Sequence, residues 1–422
     1  MRRSATGFSD RGNRTVAIVA IIVAVGVTAM TLVAAAHAQV DCSDPNNLCT
    51  GDPCIIDDSI EVQSPCVVDF SPRALVIDQP VRVPNGGTLQ FTAGSIAVNH
   101  KILGRHTRAG DGNGASVSLI ASGSITVGPG FGQIDVSARD TNGAISLTAG
   151  GNVDLQRKLN ARVRGIGATA SGGAITVDAN GSVSTSRRAR IDARGKTLGA
   201  APTAGGSIAL SGDGGVTLRA RVTTAGSGGG TVTIDSSSGS VVLDERGEVS
   251  SNGQGSVPSS GGSITVTASG GVTLTETVLS LFQPSLHAKG ASGGAGGSVA
   301  VQSDTLTDAV VRAGAGGQGA IGGRVQVDCA SDVDIRTIDV GAKAAGGSID
   351  VDAGGAAVIG KILADAGSGA AGSVSVKAAG DVTITQIQGA GDTTGGCVSV
   401  SSTAGNVLIE TKVDLEGGTA GG

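Results

Sequence analysis

A glycine-punctuated unit that recurs about every 28 residues constrains this chain more than any other feature. Each copy reads Gly-Gly-x-Φ-x-Φ-x-Ala and then Gly-x-Val-x-Φ, where Φ is an apolar residue, and the clearest copy runs from Gly261 to Val278. A fixed motif at variable spacing predicts one repeated scaffold with loops of changing length. The residues that precede the first outward position of the twelve copies are Gly87, Ala115, Gly143, Gly173, Gly206, Gly230, Gly262, Gly297, Gly323, Gly347, Gly372 and Gly396.

Alternation inside each copy predicts strands with one buried face. In the copy that begins at Gly261, Ile264, Val266 and Ala268 fall on one side, and the intervening Ser and Thr residues fall on the other. Val272 begins a second alternating run after the central glycine pair. A third short run closes most copies, as at Arg162, Arg190, Arg221, Thr337 and Lys361. Three strands joined by glycine-rich corners predict one triangular coil.

Stacking such coils predicts the fold class: an all-β, single right-handed parallel β-helix of about twelve coils. No coil can bury its apolar residues alone, so neighbouring coils must supply the core. The 72 glycines do not recur at every third residue, which excludes collagen. A left-handed β-helix is the alternative winding, but it requires a stricter hexapeptide period than this chain has.

The N-terminus predicts export. A basic start precedes an uncharged apolar run over 16–36, and Ala36-His37-Ala38 fits signal peptidase, so 1–38 is expected to be a signal peptide cleaved after Ala38. The run is also long enough to remain as a membrane anchor, which would be the only membrane contact. The chain has a formal net charge of −5, and without four Arg and one Asp in the first 38 residues about −8 remains. This acidic balance argues against nucleic acid as a partner.

Cysteine distribution defines the expected domains. Residues 39–84 lack the repeat and form a predicted N-terminal cap, followed by the β-helix domain over 85–422. In an extracytoplasmic compartment the four cysteines of the cap predict two disulfides, with three pairings open. These cysteines are Cys42, Cys49, Cys54 and Cys66. Cys329 is predicted to be a buried free thiol and Cys397 an exposed one, because their coils lie too far apart for a disulfide. The glycine-rich C-terminus resembles a corner before another coil, as in a truncated product or an end that another molecule covers.

One candidate site is a basic stripe on the outside of the coils. Arg157 and Lys158, then Arg187 and Arg188, and then Arg219 and Arg221 fall at matching offsets in three consecutive coils. Stacked cations of this kind would bind anionic polysaccharide or lipid headgroups. The alternative is a solvated face that nearby Asp residues partly neutralise. The whole candidate stripe comprises Arg157, Lys158, Arg162, Arg164, Arg187, Arg188, Arg190, Arg194, Arg219 and Arg221.

A second candidate is an acidic ladder formed by Asp328, Asp350 and Asp352, with Lys377 in the following coil. A cross-coil charge ladder is the favoured interpretation. The alternatives are a calcium site and the acidic pair of a polysaccharide lyase. We expect no other cofactor. The histidines sit in no catalytic motif and the chain has neither Trp nor Tyr to stack on sugar rings, so we do not expect an enzyme.

The units that begin at Gly143 and Gly261, GAISLTAGGNVDL and GGSITVTASGGVTL, resemble repeats of filamentous-haemagglutinin-like adhesins and autotransporter passenger domains. The resemblance covers residues 85–422 and implies a bacterial surface β-helix. The leading hypothesis is therefore an exported structural or adhesin-like protein that presents an extended binding face to a surface polysaccharide or envelope component. The alternatives are a lyase-like β-helix enzyme and an envelope subunit that assembles end to end.

Overall fold

The alternating runs fold into three strands in most turns of the chain, and equivalent strands of successive turns pair in parallel. The computed structural model describes residues 39–105, 112–128, 130–164, 171–195, 203–255, 257–275 and 283–418. Every strand pairing among these residues is parallel, as the β-helix requires. The predicted signal peptide lies outside the described residues. A 3₁₀ helix, Pro45–Asn47, precedes the second strand.

Sheet A holds the first run of every repeat, and all twelve predicted anchors immediately precede one of its strands. Because the anchors were placed from the motif alone, this agreement confirms the coil count over 85–422. The thirteen strands of sheet A are β4 (Cys66–Asp69), β7 (Thr88–Ala93), β10 (Ser116–Ala121), β13 (Ala144–Ala149), β16 (Ala174–Ala179), β19 (Ser207–Gly212), β22 (Thr231–Ser236), β25 (Ser263–Ala268), β28 (Ser298–Ser303), β30 (Arg324–Cys329), β32 (Ser348–Ala353), β34 (Ser373–Ala378) and β36 (Cys397–Ser402).

Sheet B holds the second run of each coil. Its strands are β2 (Cys54–Ile56), β5 (Ala74–Ile77), β8 (Ser95–Val98), β11 (Ile125–Val127), β14 (Val153–Leu155), β17 (Ser182–Thr185), β20 (Gly215–Leu218), β23 (Val241–Asp244), β26 (Val272–Thr275), β29 (Leu306–Arg312), β31 (Val333–Asp339), β33 (Ala357–Leu363), β35 (Val382–Gln388) and β37 (Val407–Asp414).

Sheet C holds the third run. Its strands are β1 (Gln39–Val40), β3 (Ile60–Val62), β6 (Val81–Arg82), β9 (Lys101–Leu103), β12 (Gln133–Asp135), β15 (Lys158–Asn160), β18 (Arg190–Asp192), β21 (Arg221–Thr223), β24 (Glu248–Ser250) and β27 (Ser285–His287). Strand β29 pairs with both β26 and β27, so sheets B and C merge there. From β29 onward one strand of seven or eight residues serves both sheets in each coil.

One predicted strand is displaced in the structure. The third run of its coil was expected to begin at Arg162, but the strand is β15, Lys158–Asn160. Val163 makes only an isolated bridge with Ala138. The reason is that Leu159, the inward residue of β15, pairs with Ile134 below and Ile191 above, which fixes the register four residues earlier.

The segment 39–84 continues the same ladders. Strand β4 pairs with β7, and β2, β3, β5 and β6 pair within sheets B and C. Its disulfides join Cys42 to Cys66 and Cys49 to Cys54. Two disulfides indicate an oxidising, extracytoplasmic environment. The predictions for the other two cysteines are confirmed, since Cys329 is a buried free thiol and Cys397 an exposed one.

The interior is a column of aliphatic side chains. At one inward position of sheet A the stack runs Val117, Ile145, Ile175 and Ile208, all essentially inaccessible to solvent. Burying each such side chain stabilises the fold by roughly 1.5–3 kcal/mol, so the coils hold one another in place. The glycine corners are equally tight: a Cβ on Gly206 would collide with a backbone oxygen of the preceding coil.

Candidate functional site

The basic stripe lies mainly on sheet C and on the corner that leads into it. Lys158 of β15 pairs with Arg190 of β18, and Arg190 pairs with Arg221 of β21. Three consecutive coils therefore present one cation each at the same outward position, about 4.8 Å apart. This register differs from the offsets expected from the sequence, in which Lys158 was grouped with Arg188. The corner before β18 has two more residues than the corner before β15, which moves Arg188 off the strand.

A fully buried carboxylate organises this face. Asp192 accepts hydrogen bonds from Nε and Nη2 of Arg194 at 2.9 and 3.0 Å, and its Oδ2 lies 3.3 Å from Nη2 of Arg190. Burial raises the pKa of the Asp192 carboxyl, but the Arg194 hydrogen bonds and the charges of Arg194, Arg190 and Arg162 outweigh burial and keep this pKa below its ordinary value. Asp192 is therefore ionised at neutral pH and fixes two arginine side chains against sheet C.

Asp192 belongs to a buried polar column that the sequence did not reveal. This column lies two residues after the cation column on each strand of sheet C. It holds Asp135, Asn160, Asp192, Thr223 and Ser250, and all five are buried. The Asn160 amide donates to Oδ1 of Asp135 at 2.6 Å. This bond satisfies part of the column, whereas Oδ1 of Asn160 and Oγ of Ser250 are buried without a hydrogen-bond partner among the described residues.

Several cations of the stripe form no direct ion pair with a carboxylate. In the described part of the chain, Lys158, Arg162, Arg164 and Arg188 form no ion pair or side-chain hydrogen bond. Burial is the main reason that the pKa values of Lys158 and Arg162 lie below their ordinary values. The charge of Asp192 opposes this effect, and neighbouring arginines lower both pKa values further. Half-buried cations without a direct ion pair give this surface a positive charge that attracts anions. Arg162 follows β15 at the offset at which Arg194 follows β18.

The remaining arginines of the stripe line a cleft at the corner between sheets B and C. This corner cleft has a volume of about 460 Å³ and is lined by Gln156, Arg157, Ser186, Arg187, Arg188, Arg219 and Glu245. Arg187 pairs with Glu245, which lies two coils further along the stack. Arg219 Nε lies 3.0 Å from Oδ2 of Asp244. Four arginines against two carboxylates leave the corner cleft with an excess of positive charge.

Sequence reasoning missed the N-terminal continuation of the basic surface. A cleft of about 310 Å³ on sheet C is lined by Arg82, Lys101 and Arg105, together with Glu61 and uncharged residues. Lys101 pairs with Gln133 of β12, and Gln133 lies directly below Lys158. Lys101 is therefore in the same column as Lys158, two coils earlier. The missed signal was a basic residue in or just after the third run of the coils that contain β6 and β9. We name the surface formed by Arg82, Lys101, Arg105, Lys158, Arg162, Arg190, Arg194 and Arg221 the basic face.

The acidic ladder lies on sheet A. Asp328 pairs with Asp352, which pairs with Lys377, in the register expected from the sequence. Asp350 stands apart, between Gln326 and Ser375. Within the described residues no three His, Cys, Asp or Glu side chains are grouped closely enough to hold a metal ion.

His287 continues the polar column of sheet C toward the later coils. Its neighbours in the column are Ser250 below and Arg312 above, and Nη1 of Arg312 lies 3.4 Å from Nε2 of the imidazole. Burial, followed by the charges of Arg312, Lys289 and Arg221, lowers the imidazole pKa to about 4. His287 is therefore neutral at physiological pH.

Comparison of the chain with protein-family models, curated proteins and solved structures finds no match. Over the described ranges, no helix has the length and apolar character needed to cross a membrane.

Proposed function

We propose that this chain is an exported, adhesin-like structural protein of a bacterial surface, and that its basic face holds an acidic polysaccharide along the helix axis. The observation that carries the proposal is the column of Lys158, Arg190 and Arg221, one cation per coil on adjacent strands. A repeating row of cations complements a linear polymer with charged groups at regular intervals better than it complements one compact anion. The predicted signal peptide and the resemblance to surface β-helices support export to the cell surface.

The test compares binding of polygalacturonate with binding of uncharged dextran. The informative variant is Lys158→Gln with Arg162→Gln, because neither cation pairs with a carboxylate and no buried acid is left unpaired. We expect the variant to bind polygalacturonate about tenfold more weakly, as follows from losing about 1.4 kcal/mol of attraction. Binding should weaken steeply with added salt.

A matched control removes the same charge from another face. Arg324→Gln with Lys377→Gln alters two cations of sheet A and should leave polygalacturonate binding unchanged. Equal losses in the two double variants would contradict the proposal, because they would reflect net charge alone. Release of unsaturated sugar products during the assay would instead assign the chain to the polysaccharide lyases.

A further inference from the structure

We infer that the corner cleft recognises a tetrahedral oxyanion, a sulfate or phosphate ester carried on the bound polymer. This inference rests on the proposed function and specifies the ligand of one part of the stripe. The cleft lies at the edge of sheet C, immediately before β15, β18 and β21. A polymer bound along the basic face would therefore lie beside the opening of the cleft.

The lining of the cleft selects for an oxyanion. Its cations are all arginines, whose planar guanidinium groups donate paired hydrogen bonds to phosphate, sulfate or carboxylate oxygens. The uncharged lining residues, Gln156 and Ser186, are polar, and among the described residues no aromatic or aliphatic side chain lines the cleft. A volume of about 460 Å³ admits a charged substituent with part of the group that carries it.

The backbone that carries the arginines is held in position by hydrogen bonds. The Ser186 hydroxyl donates to the backbone oxygen of Gln156 at 3.0 Å and accepts from the backbone N–H of Arg188 at 3.2 Å, which orders the turn that carries Arg187 and Arg188. The Arg219 N–H donates to Oγ1 of Thr185 at 2.8 Å. A fixed turn reduces the conformational entropy that binding would otherwise cost.

Glu245 completes the arrangement from two coils above. Its backbone has φ of 56°, a left-handed conformation that is uncommon for residues other than glycine, and its side chain pairs with Arg187. Such strained residues persist where the surrounding structure holds them, often at binding sites. The Glu245 carboxylate directs Arg187 across the cleft, while Arg188 remains without an ion pair in the described part of the chain.

The distinction between a tetrahedral oxyanion and a carboxylate rests on charge and oxygen number. A phosphate ester presents more oxygens than a carboxylate and carries up to two negative charges, so it can engage several guanidinium groups together. Four arginines against two carboxylates match that demand. A single carboxylate offers only two oxygens and one negative charge, so it satisfies fewer guanidinium groups than a phosphate ester does.

The experiment replaces guanidinium groups while preserving charge. The variant Arg187→Lys with Arg188→Lys is compared with the unaltered full chain for binding to dextran sulfate, sodium polyphosphate, polygalacturonate and unmodified dextran. We expect about fivefold weaker binding to dextran sulfate, to polyphosphate or to both, because lysine cannot reproduce the bidentate geometry. Binding to polygalacturonate should change by less than about twofold. The polymer whose binding weakens identifies the recognised ester as a sulfate or a phosphate.

The outcomes separate the inference from the proposed function. If the lysine variant binds all three anionic polymers as tightly as the unaltered chain, the inference is overturned while the proposed function stands. If the unaltered chain binds none of them, both fail. The matched control is Arg324→Lys on sheet A, which should bind every polymer unchanged, and equal thermal unfolding midpoints would show that the variants are folded.

Discussion

The early and late coils of this β-helix differ at one corner, and the arginines of the candidate site lie at that corner of the early coils. From β14 to β24, corners of two to four residues separate the strands of sheets B and C. From β29 onward a single strand crosses that corner without a break. The early corners carry Arg157, Arg187, Arg188 and Arg219, whereas the late coils have no such insertion. Short insertions on a regular scaffold thus supply the site without disturbing the core.

The largest expected effect comes from the Cys42–Cys66 disulfide, which we expect to stabilise the early coils but not the late coils. Replacing Cys42 and Cys66 by Ser should lower the free energy of unfolding of the first coils by about 3.5 kcal/mol, the chain-entropy value for a loop of this length. Segment-resolved hydrogen exchange should show lost protection in β1–β7 and unchanged protection in β30–β35. Equal loss in both regions would mean that the stack unfolds as one unit.

The next effect contrasts a buried acid of the early coils with an exposed acid of the late coils. Asp192→Asn should lower the free energy of unfolding by about 2–3 kcal/mol, because Arg190 and Arg194 lose their shared carboxylate. The control Asp352→Asn should cost less than about 0.5 kcal/mol. Denaturant titration measures both, and similar costs would contradict the organising role of Asp192.

The stability that Asp192 contributes should also depend on pH. The Asp192 carboxyl has a lowered pKa in the folded chain, so the stability it contributes is present above its unfolded pKa of about 3.9 and is lost as pH falls through the folded value. Below about pH 3.9 the unaltered chain should therefore lose stability more steeply than Asp192→Asn. Parallel curves for the two proteins would show that Asp192 has no such linkage.

A histidine at the boundary between early and late coils predicts a smaller effect. The His287 imidazole has a pKa of about 4 when folded, against 6.5 ordinarily, so the unfolded chain binds the proton first as pH falls. Stability should therefore fall as the pH drops from about 6.5 toward 4. His287→Gln should remove this part of the slope, and thermal midpoints at several pH values measure it. An unchanged slope would contradict the burial of His287.

The smallest effect concerns the late coils alone. If the Asp328–Asp352–Lys377 column is only a surface charge ladder, Asp328→Asn should change the free energy of unfolding by less than about 0.5 kcal/mol. Calcium addition followed by chelation should leave the thermal midpoint unchanged. A midpoint that rises with calcium, and does so only when Asp328 is present, would establish a metal site.

The repeat was predictable because glycine corners and period-2 alternation are local signals. Anchor glycines such as Gly173, Gly206 and Gly230 lie too close to the backbone of the preceding coil to carry a Cβ, and the inward residues face a shared core, so spacing alone located sheet A. The strands of 39–84 escaped detection because their sequence lacks the repeat although their backbone continues the ladders.

The site was only partly predictable because it depends on pairing between coils. The sequence identified the arginines but grouped Lys158 with Arg188, and only the ladder places Lys158 beside Arg190. Corner lengths change from coil to coil, so residues at equal sequence offsets need not be neighbours. The pairing of Arg187 with Glu245 spans two coils, and no local pattern encodes it.

Lysine footprinting tests the central claim most directly, since lysines lie on both the basic face and the other faces. The chain is treated with an amine-reactive reagent with and without polygalacturonate, and modification at each lysine is measured by mass spectrometry. We predict that Lys101 and Lys158 become protected while Lys377 of sheet A reacts at an unchanged rate. Protection that is equal at all three lysines, or that is confined to Lys377, would contradict binding along the basic face.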